Sequence, residues 1–422
     1  MTGVFQAGEE FAVARDARDP LAHFRDRFLI PKTKTGDDCI YLCGHSLGLQ
    51  PKNVRTYLEQ ELQDWGQLGV EGHFHAKNPW VPYHRMLAQQ TAELIGAESS
   101  EVVVMNSLTV NLHLMIASFY RPTPERHKIL IERGAFPSDQ YAMASQVRFH
   151  GFDSGSSLLE LVPRDGESCM RDEDIESLID REGDSIALIM LGGVNYATGQ
   201  VFDMAGITKA GQRKGCVVGF DLAHAAGNVP LHLHDWGADF AVWCSYKYLN
   251  GGPGCVGGCF VHDRHAGWKG PRLAGWWGHD EKTRFQMGPN FHPLAGAEGW
   301  QLSNPPILAL AALRASTEIF SEAGLTALRA KSVSLTGYME FLLRQKDSAK
   351  FSIITPREPH KRGAQLSIRL ATEGRKLCDR LAADGVIGDW REPDVFRIAA
   401  VPLYNSYQDV YRFAERFSAV LQ

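Results

Sequence analysis

The chain has 422 residues, 44% hydrophobic and 22% charged, with a formal net charge of −5. This is the composition of a globular protein too long for one ordinary core, and its scattered basic residues argue against a nucleic-acid or anionic-membrane partner. The opening stretch MTGVFQAGEEFAVARDARDP lacks a basic region followed by an apolar run, so no signal peptide is read there. The most apolar run, IALIMLGGV from Ile186, is too short to span a bilayer. The expectation is a cytoplasmic protein. Its eight cysteines are read as reduced thiols, because Cys39/Cys43 and Cys255/Cys259 do not make a set with zinc-site spacing. No metal is expected.

In chain order, residues 1–46 are too short to fold alone and read as an arm lying on a smaller domain. A large domain over 47–305 follows. Its apolar strand-like runs are VVVMN (102–106), KILIE (128–132), LLELVP (158–163), IALIML (186–191), CVVGFD (216–221), FAVWC (240–244) and GGCFVH (257–262). Helical patterns lie between them, among them DEDIESLIDREG (172–183) and MAGITKAGQRKG (204–215). Such alternation predicts an α/β fold with a mostly parallel seven-stranded sheet covered on both faces. Pro305-Pro306 marks a boundary, since proline breaks the preceding element. Beyond it, 306–422 reads as a small α+β domain: helix over 307–345, then the runs FSIITP, AQLSIRL and VFRIAAVPL.

In open parallel sheets, ligands gather at the carboxyl ends of strands. Asp221 closes the apolar run in VVGFDLAHAAG, and His224 follows it. The bland reading of Asp221 is a helix cap. Lys247 lies 26 positions after Asp221, beyond the next strand, in CSYKYLNGGPG. A lysine between an apolar strand and a glycine turn must reach water, reach an anion, or be used uncharged. A strand-end Asp, a nearby His and a lysine one strand later suit pyridoxal 5′-phosphate (PLP). The carboxylate pairs with the pyridine nitrogen, and the lysine amine condenses with the aldehyde. SLTVNLHLM (107–115) reads as a helix start where the N–H groups of Leu108 and Thr109 hold a phosphate, unless Thr109 merely caps the helix. Tyr246 is placed to donate to the same phosphate. Phe136, in GAFPSD, is placed to stack on the ring, the alternative being a core phenylalanine.

The stretches YLCGHSLGLQPK, NSLTVNLHLM, AFPSDQYA, GFDLAHAAGNVPLHLHDWGADFAVWCSYKYLNGGPG, GWWGH, SNPP and VPLYNSY together resemble kynureninases. The resemblance runs over nearly the whole chain and is closer to the animal-type enzymes than to the shorter bacterial ones. It implies PLP fold type I and a homodimer with active sites at the subunit interface. It also implies hydrolytic β,γ-cleavage of L-kynurenine or 3-hydroxy-L-kynurenine to anthranilate or 3-hydroxyanthranilate plus L-alanine, in tryptophan degradation and NAD precursor synthesis. Lys247 is then the Schiff-base lysine and Asp221 the pyridinium partner. Leu108, Thr109, Tyr246 and Trp276 hold the phosphate end, with Trp276 reaching in from the neighbouring subunit. Phe136 stacks on the ring, with His224 and Asp139 near it. Tyr246 is also a candidate proton donor.

Arg397, in VFRIAAVPL, resembles the arginine that clamps the substrate carboxylate, which suits its bidentate fork. Ser46, His73 and Asn304 resemble residues that read the substrate ring, Asn304 also lying near the cofactor; the resemblance selects His73 over His75. Two positions depart from the family pattern. His45 replaces the Asn of Gly-Asn-Ser-Leu-Gly, and Gly192 stands where a small hydroxyl residue is expected. The rival readings are another fold type I enzyme, such as a cysteine desulfurase, and a non-catalytic binding module. A desulfurase needs a reactive cysteine on a loop after the lysine, and Cys378 falls in a helical pattern instead.

Overall fold

The seven apolar runs between 102 and 262 all pair into a single sheet. The structure is a computed structural model that describes residues 5–346, 349–371 and 373–421. The strands are β1 (Val102–Val104), β2 (Lys128–Glu132), β3 (Leu158–Leu161), β4 (Ile186–Gly192), β5 (Val217–Asp221), β6 (Phe240–Trp243) and β7 (Gly258–Val261). Their order across the sheet is β1-β7-β6-β5-β4-β2-β3. Strands β2 to β6 pair in parallel. Strand β7 runs antiparallel to both β6 and β1, so the sheet is mixed at that edge. The central strand β4 is buried from Ile186 to Leu191, as expected of a strand covered on both faces.

The expected helices form at Asp172–Glu182 and Met204–Arg213. The helical stretch after Pro306 is two helices, Ile307–Ala323 and Leu325–Arg344, broken at Gly324 with φ 74°. The first sends Leu310, Leu313, Ile319 and Phe320 into the same core as β4 and β5. The second gives Leu335, Met339 and Leu343 to a separate core beneath the C-terminal sheet.

That smaller sheet contains β8 (Phe351–Ile353), β9 (Gln365–Leu370), β10 (Asp389–Arg391) and β11 (Val395–Ala399), in the order β8-β9-β11-β10, all antiparallel. Strand β10 carries no apolar alternation, and its three residues are half-buried. The sequence reading therefore passed over it. Register places Asp389 directly opposite Arg397.

The N-terminal segment is tied to this C-terminal unit, its first four residues lying outside the description. Ala12, Ile40 and Leu42 enter the second core. Asp16 accepts from the backbone N–H groups of Tyr407 (2.7 Å) and Gln408 (3.0 Å). Ile40–Tyr41 pairs in parallel with Val386–Ile387, and Ala399 N–H donates to the Leu42 carbonyl at 2.8 Å. Residues 40–43 thus end beside the strand bearing Arg397. Among the described residues, no helix is long and apolar enough to cross a membrane.

Candidate active site

The carboxyl ends of β2, β4, β5 and β6 open onto one cavity of about 160 Å³. A single water needs roughly 10–15 Å³ on such a measure, so this space takes a small organic molecule. Glu132, Gly192 and Asp221 close their strands at its wall, and Tyr246 and Lys247 arrive just after β6. Two helices begin at its rim, Leu108–Phe119 and Pro137–Phe149. The turn into the first is made by Asn106 at φ 49°, a conformation that asparagine tolerates better than most residues, and its amide donates to the Asn111 carbonyl oxygen at 2.9 Å. Thr109 and Ser138, one from each helix, share a hydroxyl hydrogen bond of 2.8 Å. Two sets of first-turn N–H groups therefore converge on one spot, which suits an anion.

Lys247 Nζ lies 2.8 Å from His224 Nε2. A hydrogen bond between these nitrogens requires a lone pair on one of them. Burial pulls both groups toward neutrality, lowering the lysine and lowering the imidazole well below its usual range, with Arg397 opposing charge at each. Asp221 is buried and accepts from Ala223 N–H at 2.7 Å. Burial raises its carboxyl, while the Ala223 N–H and Lys247 work the other way. Asp139 is raised well above the carboxylate range by burial and by Asp221. Two carboxyls this close cannot both ionise, so Asp139 holds the proton and Asp221 carries the charge. Tyr246 is raised by burial, with Cys244 adding to the effect, and stays a phenol that can donate. The Lys247 amine stands 5.8 Å from the centre of the Phe136 ring.

Leu108, Thr109, Phe136, Asp139, Asp221, His224, Tyr246 and Lys247 thus line one cavity. Five other expected residues do not line the cavity in a single chain. Arg397 adjoins it: it is buried, pairs with Asp389, and donates at 2.7 Å to the carbonyl of Tyr196, a lining residue. Ser46 lies on the 44–48 loop, whose Gly48 N–H donates to the Tyr246 carbonyl at 2.8 Å. A Cβ at Gly44 would collide with the Tyr404 hydroxyl, and one at Gly48 with the Lys247 carbonyl. The glycines therefore let this loop lie directly on the lysine turn.

His73 rests against Trp80 and its Nδ1 faces the Val70 carbonyl at 3.0 Å. Asn304 is exposed. Trp276 is 40% exposed, and its indole N–H donates to the Arg284 carbonyl at 3.1 Å.

Sequence reasoning missed Glu132, Tyr196 and Asp389. Glu132 is buried, and its Oε2 meets no hydrogen-bond partner among the described residues. Burial pushes its carboxyl up to about 8, against the pull of Asn195. The signal that singled out Asp221, an acid closing an apolar strand, is equally present in KILIE. Gly192 sits beside it: a Cβ there would stand 3.3 Å from Glu132 Oε1.

A protein from Koribacter versatilis named kynureninase is 69% identical over 418 residues, covering 99% of each chain. One from Myxococcus xanthus, also named kynureninase, is 60% identical over 98% of this chain and 97% of its own. The chain belongs to the kynureninase family. The family description "Kynureninase C-terminal domain" matches residues 328–417. Among solved structures, a cysteine desulfurase from Escherichia coli superposes with a TM-score of 0.78 at 17% identity, over 95% of this chain and 98% of that one. The C-DES protein with glycine covalently linked to its PLP cofactor gives 0.76 at 15%, over 90% and 96%. At such identities the likeness shows the fold alone, PLP fold type I.

The desulfurase alternative is not favoured. Cys378 lies half-buried on the helix Gly374–Ala383, and burial pushes its thiol up to about 12. A kynureninase takes PLP, and the cavity has the donors for it. Converging helix starts face one end, a buried carboxyl pair faces another, and a buried lysine whose charge burial disfavours stands between. Nδ1 of buried His224 and Oδ1 of Asp139 have no hydrogen-bond partner among the described residues, so the cavity wall offers polar atoms free for a bound cofactor.

Proposed function

We propose that this cavity carries out the hydrolytic β,γ-cleavage of L-kynurenine or 3-hydroxy-L-kynurenine, giving anthranilate or 3-hydroxyanthranilate and L-alanine. The observation that carries this is the 2.8 Å contact of Lys247 with His224 in the cavity that Asp221 and Thr109 also line. PLP, when bound, supplies the electron sink for charge developing at the substrate carbons.

The residues divide the remaining work. Backbone N–H groups of Leu108 and Thr109, with the Thr109 and Tyr246 hydroxyls, hold the phosphate; Asp221 holds the ring nitrogen protonated; Phe136 and His224 flank the ring. Arg397 fixes the substrate carboxylate and so orients the α-carbon toward Lys247. The neutral Nζ of Lys247 takes the α-proton. Water adds to the γ-carbonyl, the β–γ bond breaks with its electron pair going to the β-carbon, and the Tyr246 hydroxyl delivers a proton there. The acyl carbon keeps the hydroxyl and leaves as the anthranilate.

The same reading takes the two cores as two domains and completes the site with a second copy of the chain, in the cytoplasm, within tryptophan degradation and NAD precursor synthesis. Support for the second copy comes from Trp276, Phe285 and Phe74. They are exposed and touch ring to ring, with centroids 5.6 and 6.4 Å apart, a patch of the kind that partners cover. Half-buried His73 and exposed Asn304 would read the ring of a substrate bound across that interface.

The test is to load the protein with PLP and follow release of fluorescent anthranilate from each substrate. Turnover of either is expected, and no release from both would end the reading. Mixing Lys247→Ala with Trp276→Ala protein tests the shared site: activity above either variant alone is expected, and none would place Trp276 outside the partner's site.

A further inference from the structure

His45 is fully buried, and neither ring nitrogen meets a hydrogen-bond partner among the described residues. Leaving a buried polar group unpaired is costly, so a buried imidazole with two idle nitrogens calls for a partner. Its location says which kind. The backbone pairing of residues 40–43 with Ile387 and Ala399 carries the chain to the strand ends beside Arg397, and Gly48 pins the far side of the loop to Tyr246. His45 Nε2 stands 3.8 Å from Asp389 Oδ2, beyond hydrogen-bonding distance. The charges felt by its ring are Arg397, Lys247 and Arg391. His45 is not among the residues that line the cavity; it stands next to the carboxylate that holds Arg397, the arginine that meets the substrate carboxylate on the proposed function.

Arg397 is already partly committed. One Nη is paired with Asp389 and the other donates to Tyr196, while Nε is buried without a partner among the described residues. Asp389 also holds Arg391 at 3.0 Å. An incoming carboxylate therefore does not find the whole guanidinium fork free. Resting on the proposed function, we propose that His45 is a substrate-binding residue, donating a ring N–H to the α-carboxylate of the amino-acid half beside Arg397. Burial and the neighbouring cations keep the imidazole neutral, so it offers one N–H donor without adding a further charge. An asparagine, which the family pattern has here, offers the same donor from a smaller side chain.

The test separates the two halves of the substrate. With the PLP-loaded protein, L-alanine is titrated by its effect on the cofactor absorbance. 3-Hydroxyanthranilate is titrated by competition against turnover in wild type and variants. His45→Leu, which fills the space without a donor, is expected to weaken L-alanine about tenfold, the worth of one hydrogen bond to a charged group. It should leave 3-hydroxyanthranilate unchanged and raise KM with kcat largely kept. His45→Asn is expected to restore L-alanine affinity to near wild type. An unchanged L-alanine affinity in His45→Leu would overturn the proposal, as would a loss confined to 3-hydroxyanthranilate, which would put His45 on the aryl side. Equal weakening of both halves with a lowered Tm would make His45 a packing residue only. Wild-type protein that binds L-alanine but cleaves neither kynurenine would sink the function and leave the His45 assignment standing.

Discussion

The cofactor end and the substrate end of this site are built in opposite ways. Asp221, Lys247, Gly192 and Glu132 stand at or just beyond the ends of neighbouring strands, and Thr109 and Asp139 lie in the first turns of helices that start beside them. Sheet register fixes them: Gly192 and Asp221 are direct partners across β4 and β5. The proposed substrate end draws on a loop after an N-terminal strand, a short helix, a loop before Pro305 and a strand of the other sheet. One chain brings most of the residues expected at the first end to one cavity. In that chain His73, Asn304 and Trp276 stay apart from the cavity. The chemistry common to many PLP enzymes thus rests on rigid, local geometry, and the choice of substrate rests on parts that can be exchanged without disturbing it.

The sharpest way to break this comparison is at the lysine. Lys247→Ala is expected to lower turnover roughly 10⁴-fold, the upper range for loss of a general base, and to remove the visible absorbance of the protein-linked cofactor. Near-normal turnover would remove Lys247 from the reaction. Next in size, Asp221→Ala should cost about 100-fold in turnover, as expected when a buried charge loses its partner, and should loosen cofactor retention on gel filtration. Retention and turnover both intact would make Asp221 a cap, holding only the Ala223 N–H.

A substitution at the other end should behave differently. Arg397→Lys is expected to raise KM about tenfold or more while sparing cofactor retention, because a point charge replaces a planar fork. Loss of cofactor in that variant would mean the two ends are not separable.

A separate effect, on stability rather than turnover, comes from Glu132. Glu132 keeps its proton to about pH 8 in the folded chain, against 4.5 for the free group. The folded state therefore binds more protons between those values, and this group makes stability fall as pH rises from about 5 to 8. The full shift corresponds to on the order of 5 kcal/mol. Glu132→Gln should flatten the dependence of Tm on pH in cofactor-stripped protein. Parallel profiles for wild type and variant would show that Glu132 titrates normally.

The cofactor end was legible in the sequence for a physical reason. A strand buried on both faces must be apolar, so a single acid or lysine at its end stands out, as Asp221 and Lys247 do. The same contrast marked Glu132, which went unread because no partner in the sequence pattern demanded it. Strand β10 and its Asp389 left no such mark, since a short half-buried strand has no apolar run for a charge to interrupt. Residues such as His73 and Asn304 carried meaning only through resemblance, because a polar residue on a loop looks the same whether it binds something or not.

By itself, then, the sequence determined the strands, their α/β alternation, the lysine-aspartate pair and the family to which the chain belongs. Those follow from short-range periodicity and from residues placed where apolar chain ends. Tertiary structure alone decided that β7 runs against its neighbours, that Asp389 faces Arg397, that Glu132 shares the cavity with Asp221, and that His45 is buried with idle nitrogens beside the arginine. Each of these depends on strand pairing or on packing between separate segments, and one-dimensional patterning does not encode which groups pairing and burial will bring together.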